Sequence, residues 1–328
     1  MIIKTPSRLH FGLIDLNGSY GRTDGGIGLT IKKPNFELFG EETEKDIIID
    51  FDESLTDERI KEECVNKINS AAEKTIDHFN LDNGFYFKVE NAYFPHAGFG
   101  SGTQIGLATS KMISEFSGKS TSSIELGKIV GRGGTSGIGI FSFDKGGFIL
   151  DGGHSLKEKG TFLPSSASKT NPPQLIARYD FPEEWDILIA IPKVQSSVSG
   201  KKEINIFQDY CPIVKNEVEK LSHVILMNLI PFLLEKDIES FGKSIDLIQT
   251  IGFKKVEVNL QEDKVKNLMN KIRDFGGYGV GMSSFGPTIF SVYDKTNKNI
   301  IKETKEYLGD DGMVYTTKAQ NFGHKIYK

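Results

Sequence analysis

The chain of 328 residues carries 40 Lys and Arg against 44 Asp and Glu, a net charge of −4, and 38% hydrophobic residues. That length supports about two domains, each with its own core, and the charge balance excludes the basic stripe of a nucleic-acid or anionic-membrane binder. Two cysteines, Cys64 and Cys211, exclude a disulfide framework and a cysteine zinc site; a polar start and the lack of any apolar run near ~18 residues point to a cytoplasmic protein without a membrane span.

Residues 1–5 and 26–31 read as strands around a glycine-rich connection, and 46–51 and 85–90 as two more. An amphipathic helix is predicted over 57–79, with Thr56 as N-cap and Ile60, Cys64, Ile68, Ala72, Ile76 and Phe79 on one face. A second helix, buried through Ile105, Ala108, Met112, Ile113 and Phe116, follows the glycine cluster near residue 100. Ser122 and Glu125 make a capping box for a third. A short strand at 147–150 runs into Asp151-Gly152-Gly153-His154. Residues 155–182 are rich in Ser, Pro and Lys, and Pro172-Pro173 cannot lie inside a helix, so this stretch reads as a linker or active-site loop. Beyond it come a strand at 186–191, helices near 215–235, 238–250 and 262–275, a strand at 287–293, a helix near 298–308 and a strand at 313–317. The mixture predicts an α+β fold in two domains, 1–160 and 161–328.

Glycine is the compositional outlier: 24 of 35 fall in the clusters 12–28, 98–106, 131–153 and 276–286. Such grouping fits backbone brought close to a ligand. In Pro95-His96-Ala97-Gly98-Phe99-Gly100-Ser101-Gly102-Thr103-Gln104, small residues precede a helix N-terminus, so successive N–H groups can converge on a phosphate. Ser101 and Thr103 add hydroxyl donors.

This segment resembles the P-x-x-x-G-L-G-S-S-A-A loop of the GHMP kinase superfamily. Residues 281–288 resemble that superfamily's C-terminal glycine motif, and 6–15 its first motif, so the resemblance implies a two-domain GHMP-kinase-like fold over the whole chain. One departure bears on function. Where GHMP kinases carry P-S-G-I-D, with an Asp that activates the substrate hydroxyl, this chain has Thr135-Ser136-Gly137-Ile138-Gly139, and a glycine cannot serve as a base. The stretches PSRLHFGLIDLNG, GRTDGGIGL, GRGGTSGIGIFSFDKGGFILDGGH and PPQLIARYDFPEEWDILIAIP are similar to the β-ribofuranosylaminobenzene 5′-phosphate synthases, a non-kinase branch of the superfamily in tetrahydromethanopterin biosynthesis. The resemblance implies a pentosyltransferase that condenses 5-phosphoribosyl 1-pyrophosphate with 4-aminobenzoate or 4-hydroxybenzoate. It would release carbon dioxide and pyrophosphate, use Mg²⁺ and no organic cofactor, and work as a homodimer. A kinase using Asp24 or Asp151 as base, and a non-catalytic binder of a phosphorylated metabolite, are the alternatives.

The candidate catalytic residues are His10, Asp24, Asp151 and His154, the last two as a carboxylate–imidazole pair. The candidate substrate-binding residues are Arg8, Arg22, Gly98, Gly100, Ser101, Gly102, Thr103, Gln104, Arg132, Thr135, Ser136, Arg178, Ser283 and Ser284. Arginine suits carboxylates and phosphates because its planar fork binds both in two-point fashion. Ser165, Ser166, Ser168 and Lys169 form a candidate phosphate lid, and Gln174 a weaker contact. His78, His223 and His324 read as structural, Trp185 as packing, and Lys254-Lys255 and Asp310-Asp311 as solvated faces.

Overall fold

The opening residues form a long antiparallel hairpin, β1 (Ile2–Asp15) against β2 (Arg22–Thr43), in the computed structural model, which describes residues 1–165, 167–195 and 200–328. The glycine-rich connection expected between residues 5 and 26 is therefore mostly strand. Its glycines answer a need for close approach: a Cβ on Gly28 would sit 2.5 Å from Ile138 Cγ2, and one on Gly26 would sit 2.7 Å from Ser136 Oγ. β3 (Ile47–Phe51), α1 (Glu58–Phe79), β4 (Gly84–Asn91), α2 (Ser101–Phe116), α3 (Ser123–Val130), α4 (Ile138–Asp144), β5 (Phe148–Asp151), β6 (His154–Ser155) and β7 (Leu175–Tyr179) follow. The end of β2 pairs with β4, which carries β3 in parallel; its start pairs with β5 and β6, and β7 pairs with β5. Part of the segment read as a linker thus belongs to the first sheet.

The second unit runs β8 (Asp186–Pro192), α5 (Lys201–Tyr210), α6 (Lys215–Val224), a π-helical turn at Ile225–Leu229, α7 (Ile230–Glu235), α8 (Ile238–Ile248), α9 (Gly252–Asn259), α10 (Asp263–Asp274), β9 (Tyr278–Met282), β10 (Ile289–Tyr293), α11 (Asn299–Leu308) and β11 (Gly312–Thr317). Its antiparallel sheet has the order β11-β8-β10-β9, and the final strand, β12 (Lys325–Tyr327), returns to pair with β1. Segments α4, α5, α9, β7, β9 and β12 were not anticipated, being short or rich in glycine and charge. α1 begins one residue later than expected, because Asp57 rather than Thr56 caps it by accepting from the Arg59 amide.

Strand periodicity distributes the cores. On β8, Ile187 and Ile189 face the core shared with the first sheet, while Leu188 and Ala190 face a second core beneath α10 and α11. The shared core joins Leu9, Phe11 and Leu29 to Trp185, Phe241 and Phe290, with the Phe11 and Phe290 rings stacked at 4.6 Å. This apolar seam sets the two halves against each other, and the glycine clusters of both meet beside it.

Candidate active site

α2 starts at Gly100, whose φ of +77° lets the chain turn into the helix; Gly98, at +91°, makes the preceding bend. The Thr103 amide donates to the Gly100 carbonyl at 3.1 Å, whereas the Ser101 and Gly102 amides before it have no carbonyl four residues back within the helix. The loop is fastened from the second unit. Ser283 Oγ donates to the Gly98 carbonyl at 2.6 Å, Thr288 Oγ1 donates to that of Ala97, and a Cβ on Gly98 would lie 2.5 Å from the Ser283 carbonyl oxygen. β1 is sewn to the same place. The Arg8 amide donates to the Phe99 carbonyl, the Arg8 guanidinium to that of Gly98, the His10 amide to Ser283 Oγ, and the Ser284 amide to the His10 carbonyl.

These segments surround one cavity. Among the candidate residues, Arg8, His10, Gly98, Gly100, Ser101, Gly102, Thr103, Arg132, Thr135, Ser136 and Ser284 line it. Gln104 and Ser283 stand behind it; Gln104 Nε2 donates to the Gly139 carbonyl at 2.8 Å. Arg22 is spent at the surface on the carbonyls of Gly152 and Gly153. Arg178 lies on β7, where it bonds to the carbonyls of Gly146 and Asn321 and pairs with Asp180, so it is not brought to the cavity. Ser165 lines the cavity, Ser168 packs on Gly134, and Ser166 lies outside the described residues. Gln174 offers its carbonyl to the Gly152 amide.

Several lining residues escaped the sequence reading: Glu63 and Lys67 of α1, Glu203 and Phe207 of α5, Glu257 of α9, Leu13 and Phe285. Glu63 and Lys67 are four apart on a helix read only for its apolar face, which leaves the opposite edge free to enter a site. Lys254 reverses an expectation. Read as solvated, it is fully buried, paired with Glu257, and donates to the carbonyls of Met282 at 3.2 Å and Ser284 at 3.0 Å. It neutralises a buried acid and pins the C-terminal glycine motif, a role that no local pattern signals.

Burial shifts the ionisation of the lining. The Arg8 guanidinium is pushed down to about 10 by desolvation, still a cation at neutral pH. His10 is held well below its ordinary value by desolvation, then by the charges of Arg8 and Lys254, so it is neutral. Desolvation raises Glu257, with Lys254 opposing.

Two buried carboxylates lie behind the cavity. Asp24, at φ +66° and 1% exposed, accepts from Lys159 Nζ at 2.8 Å and faces His154 Nδ1 at 2.5 Å. Lys159 also donates to the Gly134 and Leu163 carbonyls, and His154 Nε2 faces the Asn171 carbonyl at 2.8 Å. This cluster clasps the 159–171 segment onto the first sheet. His154 therefore pairs with Asp24 and not, as expected, with Asp151. The bend at Gly153, φ +57°, sends the chain back along β2 and sets His154 in register with Thr23. Asp151 accepts instead from the Gly153 amide at 3.0 Å, the Gly137 amide at 2.9 Å and Ser136 Oγ at 3.2 Å. Desolvation pushes it up to about 6, against these donors.

The kinase-specific position is tight. Gly139 lies on α4 at the cavity wall, where a Cβ would meet Thr103 Cγ2 at 3.0 Å. A side chain there requires Thr103 to give by a few tenths of an ångström.

The fold and its glycine loop define a GHMP-type protein: the models of the GHMP kinases N terminal domain and the GHMP kinases C terminal match residues 66–147 and 229–307. The crystal structure of the Methanococcus jannaschii mevalonate kinase superposes with a TM-score of 0.68 over 98% of both chains at 19% identity, a likeness of fold. Much nearer in sequence are two proteins named beta-ribofuranosylphenol 5′-phosphate synthase. That of Methanothermobacter thermautotrophicus is 48% identical over 100% of this chain and 99% of its own, and that of Methanocaldococcus jannaschii 45% over 100% of both. The chain belongs to this beta-ribofuranosylphenol 5′-phosphate synthase family, an enzyme branch of the GHMP superfamily.

Proposed function

We propose that the chain transfers the ribosyl carbon of 5-phosphoribosyl 1-pyrophosphate to C1 of 4-hydroxybenzoate, releasing carbon dioxide and pyrophosphate, as a pentosyltransferase of methanopterin biosynthesis. The end-to-end likeness to relatives named for a ribofuranosylphenol phosphate carries this reading, and it selects the hydroxy over the amino acceptor. Glycine at position 139, which offers no side chain to act as a base, supports transfer without one.

The geometry suits the chemistry. As the C1′–O bond breaks, charge grows on pyrophosphate. The Ser101 and Gly102 amides of α2, the Ser101 and Thr103 hydroxyls and the Arg132 guanidinium are fixed donors for it. Arg8, bonded to the Gly98 carbonyl, holds that cradle in shape. Glu203 lines the same cavity, and its carboxylate stabilises the positive charge developing on the ribosyl carbon. The acceptor ring packs on Leu13, Phe207 and Phe285. Decarboxylation then returns the electron pair of the broken C–C bond to the ring.

Mg²⁺ would ride mainly on pyrophosphate oxygens, since it needs only one or two carboxylates beside a phosphate ligand. Among the described residues no group of three or more His, Cys, Asp or Glu forms a dedicated cage, whereas Glu63 lies beside Gly102 in the cavity and fits this lighter demand. The ion would supply charge neutralisation of the leaving group. No organic cofactor is required, because the donor's leaving group and the acceptor's carboxylate account for all electrons. A homodimer in the cytoplasm is the assembly we assign, from the prevalence of two-fold oligomers; no helix among the described residues is long and apolar enough to cross a membrane.

Incubation with the ribosyl donor, Mg²⁺ and carboxyl-labelled 4-hydroxybenzoate tests the reading. Labelled carbon dioxide that appears only when the donor is present is expected. Folded protein that releases none, or that phosphorylates an alcohol from ATP, overturns it.

A further inference from the structure

One cavity-lining group has a neighbourhood that the reaction above leaves unused. Ser136 is half-buried at the cavity wall, and its Oγ sits between two buried groups: Asp151 Oδ2 at 3.2 Å and His10 Nε2 at 3.1 Å. Asp151 is 0% exposed and takes its bonds from two amides and this hydroxyl, with no ion pair. His10 is 7% exposed, and its Nδ1 is buried without a hydrogen-bond partner. One proton acceptor, Asp151, and a neutral imidazole thus flank a hydroxyl that opens into the cavity. The fold makes space for them. A Cβ at position 26 would come within 2.7 Å of Ser136 Oγ and 2.9 Å of Asp151 Oδ2, and Gly26 stands in register with Leu13, which lines the same cavity.

A phenolic acceptor has a use for such a device. Neutral phenol is a weak carbon nucleophile at the position para to its hydroxyl, whereas phenolate is a strong one. An arylamine needs no such step, because its nitrogen lone pair is already available.

We infer that Ser136, backed by Asp151 with His10 alongside, is the proton relay that converts bound 4-hydroxybenzoate to its phenolate. The phenolic proton passes to Ser136 Oγ as the hydroxyl's own proton passes to Asp151 Oδ2. The phenolate then drives its electron pair through the ring to C1, which bonds to C1′ as the C1′–O bond to pyrophosphate breaks. Loss of carbon dioxide from C1 returns that pair to the ring and regenerates phenolate, which takes the proton back along the same path. The relay is unchanged at the end, and no oxidant or further reactant is consumed. The upward shift of Asp151 to about 6 brings it towards the proton affinity of a working base near neutral pH. Ser136 is the catalytic residue here, since it touches the acceptor; Asp151 acts through it.

The inference rests on the proposed reaction, and the test separates the two. Wild type, Ser136→Ala and Asp151→Asn are assayed with 4-hydroxybenzoate and with 3,5-difluoro-4-hydroxybenzoate, whose phenol is more acidic and ionised in solution at the assay pH. General-base loss predicts a fall of about 10²-fold in kcat for 4-hydroxybenzoate with Ser136→Ala. The fluorinated acceptor should lose less than about 3-fold in the same variant, because it arrives without the proton. Equal losses with both acceptors, or no loss with the parent acid, overturn the relay and leave the reaction standing. A wild type inactive with both overturns the reaction and the relay together. If Asp151→Asn fails to fold, Ser136→Ala alone decides, its melting temperature and affinity for the ribosyl donor serving as the folding control.

Discussion

Asp24 and Asp151 lie near each other at one end of the first sheet, both almost wholly buried, and are treated in opposite ways. Asp24 is given a lysine and an imidazole, and those partners are in turn tied to the Gly134, Leu163 and Asn171 carbonyls. Asp151 is given only amides and one hydroxyl. A buried carboxylate matched by a lysine is mechanical, and here it holds Lys159 across the site. One held by neutral donors keeps its charge at a cost, which a proton relieves, and it abuts a serine that opens to the cavity. Partners, more than burial, separate a clasp from a reactive group.

The largest effect that would break this contrast is on the clasp. Asp24→Ala leaves Lys159 buried and unpaired, a loss of about 3–5 kcal/mol in unfolding free energy. Denaturant unfolding should show it, and a variant as stable as wild type would mean that Lys159 escapes to solvent and that no clasp exists.

Next comes the reactive partner, through its pH dependence. Asp151 titrates at about 6 when folded against 3.8 in an unfolded chain, so the native state holds the proton more tightly. Below about pH 3.8 both states are protonated and the penalty vanishes; it grows as pH rises through about 6 and stays constant above. At 1.36 kcal/mol per pKa unit the penalty reaches about 3 kcal/mol. Asp151→Asn carries no such penalty, so the stability advantage of wild type over the variant should be larger at pH 4 than at pH 7.5. A difference independent of pH would place Asp151 in the same class as Asp24.

Smaller effects sharpen the boundary between the relay and the pyrophosphate cradle. Arg132→Ala should lower kcat about 10–100-fold with a smaller rise in KM for the ribosyl donor, because one charged hydrogen bond is worth about 1.5–3 kcal/mol and this one strengthens as charge grows on the leaving group. A rise in KM with kcat unchanged would confine Arg132 to holding the ground-state donor. The smallest change expected is for Gly139→Ala. Crowding Thr103 costs about 1–3 kcal/mol, against a gain of about 1 kcal/mol in helix propensity. A net loss near 1 kcal/mol in thermal melts is expected, and a clear stabilisation would show that the position has room after all.

Much of the frame was legible along the chain. α1 was legible because apolar residues at three- and four-residue steps can only converge on one face of a helix, and β8 because its apolar run had no helical spacing to fill. The glycine loop before α2 was legible for a local reason too: amides at a helix start have no other partners. Gly139 was meaningful only against a family pattern, and became physical once Thr103 was seen beside it. Arg22 and Arg178 carried the right chemistry for ligand binding, but their guanidinium groups are taken by backbone carbonyls. Lys254 looked like a solvated charge, since nothing within its helix announces the two carbonyls and the acid it serves.

The sequence alone determined the layers, the glycine loop before α2 and the family resemblance, because periodicity, capping and glycine positions act between residues a few steps apart. The tertiary structure decided which charges meet. Whether a carboxylate faces a lysine 135 positions away or a serine 15 positions away depends on strand register and on one bend at Gly153. At those separations the cost of burying a charge is set by neighbours that only the folded chain supplies.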